Sequence, residues 1–277
     1  MGDILRPSRW KIETTTILVC CCLIMTLSSF ILLQKGHFAL ASLEHMGRLG
    51  VTFEDRPEFY EAEEQDEFNF SSGQQRLAIV TQNVDSLHQR AGSKHVIQLH
   101  GGGSIVKCMS CGRKRSRNEF TLEMQELNVD WLAEATRAAT DLQQQQDSAS
   151  TTLRPDGDAQ INTRKVDYND VHVKNCPHCS VGFLKPDVVF FGDSVPRHRV
   201  ALCQHAVQAA DGILVVGSSL AVHSAFRHVR EASRMGIPIA ILNVGETRAE
   251  VEGLDHITKI EAPAGEVLEA CANQFKM

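Results

Sequence analysis

Short uninterrupted runs of apolar residues recur along this 277-residue chain. The clearest are Leu77–Val80, Gly212–Val216 and Ile237–Leu242. Runs of this length are typical of strands buried on both faces, as in a parallel sheet. A helical pattern over Ala221–Met235 lies between the last two runs and predicts a strand–helix–strand crossover. The pattern therefore predicts an α/β fold built on a Rossmann-like parallel sheet.

Polar or small residues follow each of the three predicted strands. Gln82 and Asn83 come soon after the first strand, Gly217 to Ser219 after the second, and Asn243 to Gly245 after the third. The carboxyl ends of parallel strands share one edge of the sheet, and ligands bind in the crevice at that edge. We therefore expect these three segments to line a ligand site.

Other segments carry weaker signals. The spacing of apolar residues predicts helices over Gly36–Gly50 and Asn118–Thr140. The stretch Glu54–Gly73 is densely acidic, which predicts a solvated insertion at 51–76. The low-complexity stretch Gln143–Thr152 is expected to be a mobile loop.

The N-terminal part is dominated by Thr14–Leu33, a run of 20 residues without a charge. As a helix this run would be about 30 Å long, enough to cross the apolar core of a bilayer. Basic residues precede it and Ala39–Ala41 resembles a cleavage site, so a signal peptide is an alternative interpretation. Membrane association is predicted only through this run.

Composition excludes some functions. An apolar fraction of 43% and a charged fraction of 22% are ordinary for a folded globular protein. A net charge of −6 argues against nucleic-acid binding through bulk charge, so no nucleic-acid partner is expected. The basic cluster Arg113–Arg117 favours a solvated loop over a docking patch.

Two Cys-x-x-Cys pairs, Cys108 with Cys111 and Cys176 with Cys179, predict a metal site. Each pair supplies two thiolates from one tight turn, and two pairs complete a tetrahedral zinc site. Such a site has no open position for water, so we expect the zinc to be structural and to contribute to folding. A redox dithiol is the alternative, and two pairs around an insertion disfavour it.

A candidate base stands just before the first cysteine pair, in the string Leu99-His100-Gly101. Histidine can accept a proton near neutral pH, although a single histidine in such a string is more often an ordinary loop residue. Upstream lies Thr81–His88, which reads Thr-Gln-Asn-Val-Asp-Ser-Leu-His. Downstream come Leu184–Asp193 and the strand-end segments already described.

Taken in this order, the motifs resemble the sirtuin family of NAD-dependent protein deacylases, most closely its class II mitochondrial type. The resemblance runs from about Gly36 to the C-terminus, interrupted by the acidic insertion. It implies NAD as co-substrate, one structural zinc and acyl-lysine proteins as substrates. The acyl group would pass to ADP-ribose with release of nicotinamide, and ADP-ribosyl transfer would be a side activity. It also implies a mitochondrial matrix location, with a membrane anchor through Thr14–Leu33 as the alternative.

The resemblance also assigns residues to parts of the site. His100 would be the general base that takes a proton from a ribose hydroxyl. NAD would be bound by Gln82, Asn83, Val84, Asp85, Gly217, Ser218, Ser219, Asn243, Val244, Gly245 and Ala264. The acyl-lysine peptide would lie as an added strand along Val189, Phe190, Phe191 and Gly192. Asp193 stands where the family has a glutamate, a difference of one methylene.

One part of the family pattern is absent. A sirtuin opens with a strand and a Gly-Ala-Gly loop whose backbone amides reach the pyrophosphate, and no such string precedes Gly36. We therefore predict a non-family segment at 1–35 and a catalytic domain at 36–277, with the zinc module inserted at 101–184. This domain would lack its central N-terminal strand and loop, and its activity would be weak or absent. A catalytically impaired, zinc-bearing scaffold is the alternative function.

Overall fold

The computed structural model describes residues 17–21, 35–54, 74–144, 152–153, 159–160 and 167–276. These residues form two compact units. We call Ser104–Pro186 the cysteine unit, and the described residues before and after it the sheet domain. The acidic stretch 55–73 and the low-complexity residues 145–151 lie outside the described residues, so the loop predictions for them stay predictions.

The sheet domain is built on six parallel strands. In chain order they are β1 (Ile17–Cys21), β4 (Ile79–Thr81), β5 (Val96–Gln98), β11 (Gly212–Val216), β12 (Ile239–Leu242) and β13 (Ile257–Ile260). Their order across the sheet is β13-β12-β11-β1-β4-β5, and every pairing is parallel. Counted among these six, this is the Rossmann order, in which the first strand is central. The predicted Rossmann-like sheet is confirmed.

Helices cover both faces of the sheet. The longer ones are α1 (Lys35–His45), α5 (Arg197–Gln208), α6 (His223–Arg234) and α8 (Ala264–Gln274), and the single turns are α2 (Leu87–Arg90) and α7 (Arg248–Val251). Leu18 of β1 packs in one core with residues of α5 and α6, whereas its neighbour Val19 packs in another with residues of α1 and α8. Successive side chains of a strand point to opposite faces, so both faces of the sheet are buried.

Strand β1 overturns the prediction that the sheet lacks its central strand. Ile17 pairs with Gly212 of β11, and Val19 pairs with Ile79 of β4 on the other side. An apolar run suits a strand buried on both faces as well as it suits a membrane helix, and periodicity alone does not distinguish the two. The residues predicted to be foreign to the domain thus supply its middle strand.

The predicted membrane anchor is wrong for the same reason. Ile17–Cys21 lies inside the run Thr14–Leu33 and forms a sheet strand. Among the described residues, no helix combines the length and the hydropathy needed to span a bilayer. The remaining residues of the run lie outside those described.

An antiparallel ribbon of β2 (Val51–Glu54) and β3 (Gln74–Leu77) flanks the acidic stretch. The predicted strand Leu77–Val80 is therefore divided, because Leu77 pairs with Val51 in this ribbon while Ile79 begins β4 of the main sheet. The predicted helices at the start of the domain and between β11 and β12 correspond to α1 and α6.

The cysteine unit has a small sheet in the order β10-β6-β7, formed by Leu184–Val188, Gly101–Cys108 and Lys114–Ser116. Thr152–Leu153 and Ala159–Gln160 pair as β8 and β9. The predicted helix Asn118–Thr140 is two helices, α3 (Arg117–Leu127) and α4 (Val129–Gln144). They are separated by Asn128, whose amide nitrogen donates to the carbonyl oxygens of Met124 and His172. An asparagine side chain that bonds the backbone in this way competes with helical hydrogen bonding.

Candidate active site

The sheet brings the predicted polar segments to one edge. Gln82 to Asp85 follow β4, His100 follows β5, Gly217 to Ser219 follow β11, and Asn243 to Gly245 follow β12. The strand order reverses between β1 and β11, and in open parallel sheets the ligand crevice lies at such a reversal. The segments therefore lie at the carboxyl edge where a nucleotide would bind.

Three hydrogen bonds to backbone groups hold the segment after β4 in place. The Asp85 carboxylate accepts from the backbone N–H of Leu87 at 3.0 Å, which starts α2. The carbonyl of Val84 accepts from Gly103 N at 2.8 Å, and the N–H of Asn83 donates to Thr81 Oγ1 at 3.1 Å. These bonds fix the backbone and leave the amide groups of Gln82 and Asn83 half-buried at the edge.

The segments after β4 and β11 are in direct contact. Gln82 Nε2 donates to Ser218 Oγ at 3.4 Å, and the backbone N–H of Leu220 donates to the same oxygen at 3.1 Å. Strand β1 lies between β4 and β11, so the Gln82–Ser218 bond passes beyond its carboxyl end. Two segments predicted separately to bind NAD thus form one hydrogen-bonded group.

The segment after β12 is a turn held by its own asparagine and by Lys259. Asn243 Nδ2 donates to the carbonyl oxygens of Val244 and Gly245 at 3.0 and 3.1 Å. Lys259 Nζ donates to the carbonyl of Gly245 at 2.7 Å, and Gly245 has a positive φ of 85° that favours glycine. Ala264, the last predicted NAD residue, is the first residue of α8 and packs half-buried against the core shared with α1.

His100 follows β5, the outermost strand on its side of the sheet, and its ring contacts the start of α6. Its Nε2 is 2.7 Å from Ser224 Oγ at the start of α6, and its carbonyl accepts from Val189 N at 2.9 Å. Burial lowers the pKa of His100, a hydrogen bond to the backbone of Gln82 raises it, and the charge of Arg199 lowers it again. The net direction is down, so the ring is neutral at neutral pH and carries a lone pair that can accept a proton.

A buried ion pair supports the turn after His100. Arg199, 2% exposed, lies on α5, and its Nη2 is 3.3 Å from Asp187 Oδ2. A Cβ at Gly101 would collide with the backbone carbonyl of Asp187, and the φ of Gly101 is +87°. Only glycine fits there. Sequence reasoning missed Arg199, because an arginine in an amphipathic helix is normally exposed.

The predicted peptide-binding segment adjoins His100 through Val189. Phe190 and Phe191 are 50% and 83% exposed. The N–H of Asp193 donates to the carbonyl of Phe190 at 2.9 Å, and the Asp193 carboxylate accepts from Phe190 N at 3.2 Å. The aspartate that replaces the family's glutamate therefore closes the turn that contains Gly192.

In the cysteine unit, the four predicted ligands come together. Their Sγ atoms all lie within 4.8 Å of one another. Cys108 Sγ is 3.7 Å from Cys179 Sγ, and Cys111 Sγ is 3.8 Å from Cys176 Sγ. A zinc ion bonded to four sulfurs at about 2.3 Å separates those sulfurs by about 3.8 Å. The cluster therefore has the dimensions of a closed tetrahedral zinc site.

The backbone around the cluster favours thiolates. The N–H of Gly182 donates to Cys179 Sγ at 3.4 Å, and the backbone N–H groups of Val181 and Gly182 lower the pKa of Cys179 to about 6. The N–H groups of Ser110 and Cys111 face Cys108 Sγ in the same way. A Cβ at Gly182 would collide with Cys108 Sγ, so glycine is required there. The cluster can thus hold a structural zinc, as predicted.

The fold and the site define a Rossmann-like α/β protein with a four-cysteine metal-binding unit. The Sir2 family model matches residues 68–224, more than half of the chain. The chain therefore belongs to the Sir2 family, and the predicted family resemblance is confirmed.

Individual relatives agree with this assignment. An NAD-dependent protein deacetylase of Xanthomonas campestris pv. campestris (strain 8004) is 48% identical over 173 residues, 62% of this chain and 53% of that protein. The NAD-dependent protein deacylase Sirt4 of Drosophila melanogaster is 42% identical over 193 residues, 69% of this chain and 54% of that protein. The chain thus spans about half the length of these curated relatives. They lend no support to the predicted mitochondrial location, which we withdraw.

Solved structures share the fold. A Sir2–p53 peptide–NAD+ complex matches with a TM-score of 0.56 and 19% identity, covering 95% of this chain and 93% of that one. At this level of identity the match concerns the fold alone.

Proposed function

We propose that this chain is an NAD-dependent protein-lysine deacylase. The observation that carries the proposal is the position of His100, whose ring is neutral and whose backbone is bonded to Val189 of the predicted peptide segment. NAD would supply the ADP-ribose that accepts the acyl group as nicotinamide leaves. The two relatives named above are described as NAD-dependent deacylating enzymes, and the solved complex contains NAD+ and a peptide.

The polar groups at the carboxyl edge of the sheet are suited to binding NAD. Amide and hydroxyl groups from Gln82, Asn83, Ser218 and Ser219 can bond ribose hydroxyls, and the turn Asn243–Gly245 can approach a second ribose. The neighbouring segments Val84–Asp85 and Gly217 shape the backbone there, and Ala264 would face the adenine. His100 would accept a proton at Nε2 from a substrate hydroxyl. These roles are proposals that agree with the placement of each residue at the edge.

The segment Val189–Gly192 is suited to binding the acyl-lysine peptide. Its two exposed phenylalanines offer apolar surface, and an extended peptide can add to it through backbone hydrogen bonds. An acyl-lysine side chain bound here would enter the site beside His100.

ADP-ribosyl transfer to protein would use the same NAD residues and is proposed as a side activity. For the domain limits, we propose the sirtuin-like domain at 36–277, extended by β1, with the zinc module at 101–184.

The direct test is turnover of acyl-lysine peptides by the full chain with NAD. We expect one nicotinamide per lysine released, measured by mass spectrometry, and loss of both products in His100→Ala. His256→Ala, at an exposed turn of the same domain, is the control and should behave as the wild type. We expect slow turnover, because no Gly-Ala-Gly string follows β1 to contact the pyrophosphate. Turnover at the rate of sirtuins that carry the Gly-Ala-Gly loop would contradict the expected slow rate, and no turnover at any NAD concentration would contradict the deacylase proposal.

The second candidate is a zinc-bearing scaffold without catalysis. It is favoured by the residues after β1, Cys22-Leu23-Ile24-Met25, where a nucleotide-binding strand would normally lead into glycines. Isothermal titration with NAD distinguishes the two proposals. Heat of binding supports the deacylase, whereas no binding by a protein with one zinc per chain supports the scaffold.

A further inference from the structure

His100 contacts Ser224, a residue outside the proposed NAD and peptide sites. Ser224 is in the first turn of α6, after the turn that follows β11. Its Oγ is 2.7 Å from His100 Nε2, within the ordinary range of a strong hydrogen bond. Both residues are half-buried. The helix start is held in place because Ala225 and Phe226 are fully buried in the core shared with α5.

The environment of the other ring nitrogen of His100 determines whether Nε2 or the Ser224 hydroxyl donates in this contact. The backbone of Gln82 raises the pKa of His100, which is the effect expected of a carbonyl oxygen that accepts from the ring. A carbonyl oxygen can only accept, so the ring nitrogen on that side, Nδ1, carries the proton of the neutral imidazole. Nε2 then has the lone pair, and the Ser224 hydroxyl donates to it. Nε2 has a single lone pair, so a substrate hydroxyl must displace the Ser224 hydroxyl before Nε2 accepts its proton. Once Nε2 is protonated, Ser224 Oγ can accept a hydrogen bond from it.

We propose that Ser224 is a positioning residue that holds the His100 ring with Nε2 as the basic nitrogen. The inference rests on the proposed deacylase function, in which His100 accepts the proton. The 2.7 Å contact with Ser224 restrains the ring at Nε2, on the side away from the backbone of Gln82. Loss of this contact lets the ring rotate about its side-chain bonds, and a small misplacement of a catalytic group can slow a reaction by up to about 100-fold.

The kinetic test compares three variants of the full chain. Ser224→Ala should lower kcat about tenfold and leave KM for NAD and for the acyl-peptide unchanged. Ser224→Thr keeps the hydroxyl and should restore kcat to within about twofold. Ser233→Ala, the matched control on the same helix, removes a hydrogen bond to the Asp255 carbonyl and should leave kcat unchanged. A Ser224→Ala enzyme as fast as the wild type would overturn the proposal.

A second measurement does not depend on turnover. Nitrogen NMR of the histidine rings distinguishes a hydrogen-bonded lone pair from a free one, and the His100 signals are identified by their loss in His100→Ala. We expect the Nε2 signal to move toward the free position in Ser224→Ala and to stay in Ser224→Thr. Identical Nε2 signals in the wild type, Ser224→Ala and Ser224→Thr would overturn the positioning role, even if the chain proves inactive. An inactive chain with the expected shifts would instead reject only the deacylase proposal.

Discussion

The sheet domain and the cysteine unit are stabilised by different means. The sheet domain buries apolar residues on both faces of its strands, in two clusters that join every helix layer to the sheet. Among the described residues of the cysteine unit, the buried core has four members, Val106, Cys108, Cys176 and Leu184, so half of them are predicted metal ligands. Helix α3 buries no residue. With so little apolar burial among its described residues, we expect this unit to depend on metal bonds for its fold.

Metal removal should have the largest effect and should affect the two units unequally. Apparent binding free energies of structural zinc are about 10 to 16 kcal/mol, more than the stability of a small unit. In Cys176→Ser, we expect the amide of Val106 to lose protection from hydrogen exchange while that of Val215 keeps it. Cys271→Ser, outside the cluster, is the matched control. Retained protection at Val106 in a zinc-free protein would show that apolar packing suffices.

A charge in strand β1 should have the next largest effect, on the sheet domain. Val19 is fully buried at the middle of the sheet, and Val19→Asp should cost more than about 4 kcal/mol or prevent folding. Val251→Asp, at a position 67% exposed, should change the free energy of unfolding by less than about 0.5 kcal/mol. Urea unfolding measures both. Equal stabilities would mean that β1 does not belong to the sheet.

Acid should destabilise the sheet domain through its buried histidines. Burial, together with His37, lowers the pKa of His88 to about 4, although Glu44 opposes this, and burial and Arg227 lower that of His228 to about 4. The unfolded histidine binds its proton near pH 6.5. Stability is therefore complete above about pH 6.5 and falls as the pH decreases to about 4, by up to about 3 kcal/mol per histidine.

The variant His88→Leu isolates this contribution. We expect the free energy of unfolding to depend less steeply on pH between 6.5 and 4 than in the wild type. His223→Leu, at an exposed position, should leave the dependence unchanged. Parallel curves for the wild type and His88→Leu would rule out a role for this histidine.

Helix caps should have the smallest effect, and a similar one in both units, because a cap acts locally. Thr247 Oγ1 donates to Glu250 Oε2 at 2.8 Å before α7, and Ser116 Oγ accepts from Glu119 N at 3.5 Å before α3. Thr247→Ala should cost about 1 kcal/mol and Ser116→Ala about 0.5 kcal/mol. Thr247→Ser and Ser116→Thr keep the hydroxyls and should be neutral. A cost above about 2 kcal/mol for Ser116→Ala would show that the cysteine unit relies on its cap.

The sequence predicts the parts of this molecule that local patterns determine. The cysteine spacing is sufficient to predict the cluster, because each knuckle is a single turn. Strands β11 and β12 and helix α6 are also predicted, since their apolar runs are bounded by small or polar residues. The polar residues at the strand ends follow from the same pattern.

The features that sequence reasoning missed depend on distant partners. An apolar run becomes β1 only because β11 and β4 flank it, and both strands are distant along the chain. Ile17 pairs with Gly212, 195 positions later, and Val19 pairs with Ile79, 60 positions later. Ser224 was predicted as an ordinary residue of a helix, since only the fold places it beside His100. Arg199 gave no signal either, because its carboxylate partner lies on another element.

The central place of β1 has a consequence for synthesis. Ribosomes add about 5 to 20 residues per second, so about 10 to 40 s separate the appearance of Ile17 from that of its partner Gly212. During this interval one edge of β1 has no neighbour, and an apolar strand edge is a site of aggregation. The nascent chain must therefore be shielded, and we expect its yield to respond to chaperone supply more than that of a protein whose middle strand is made last.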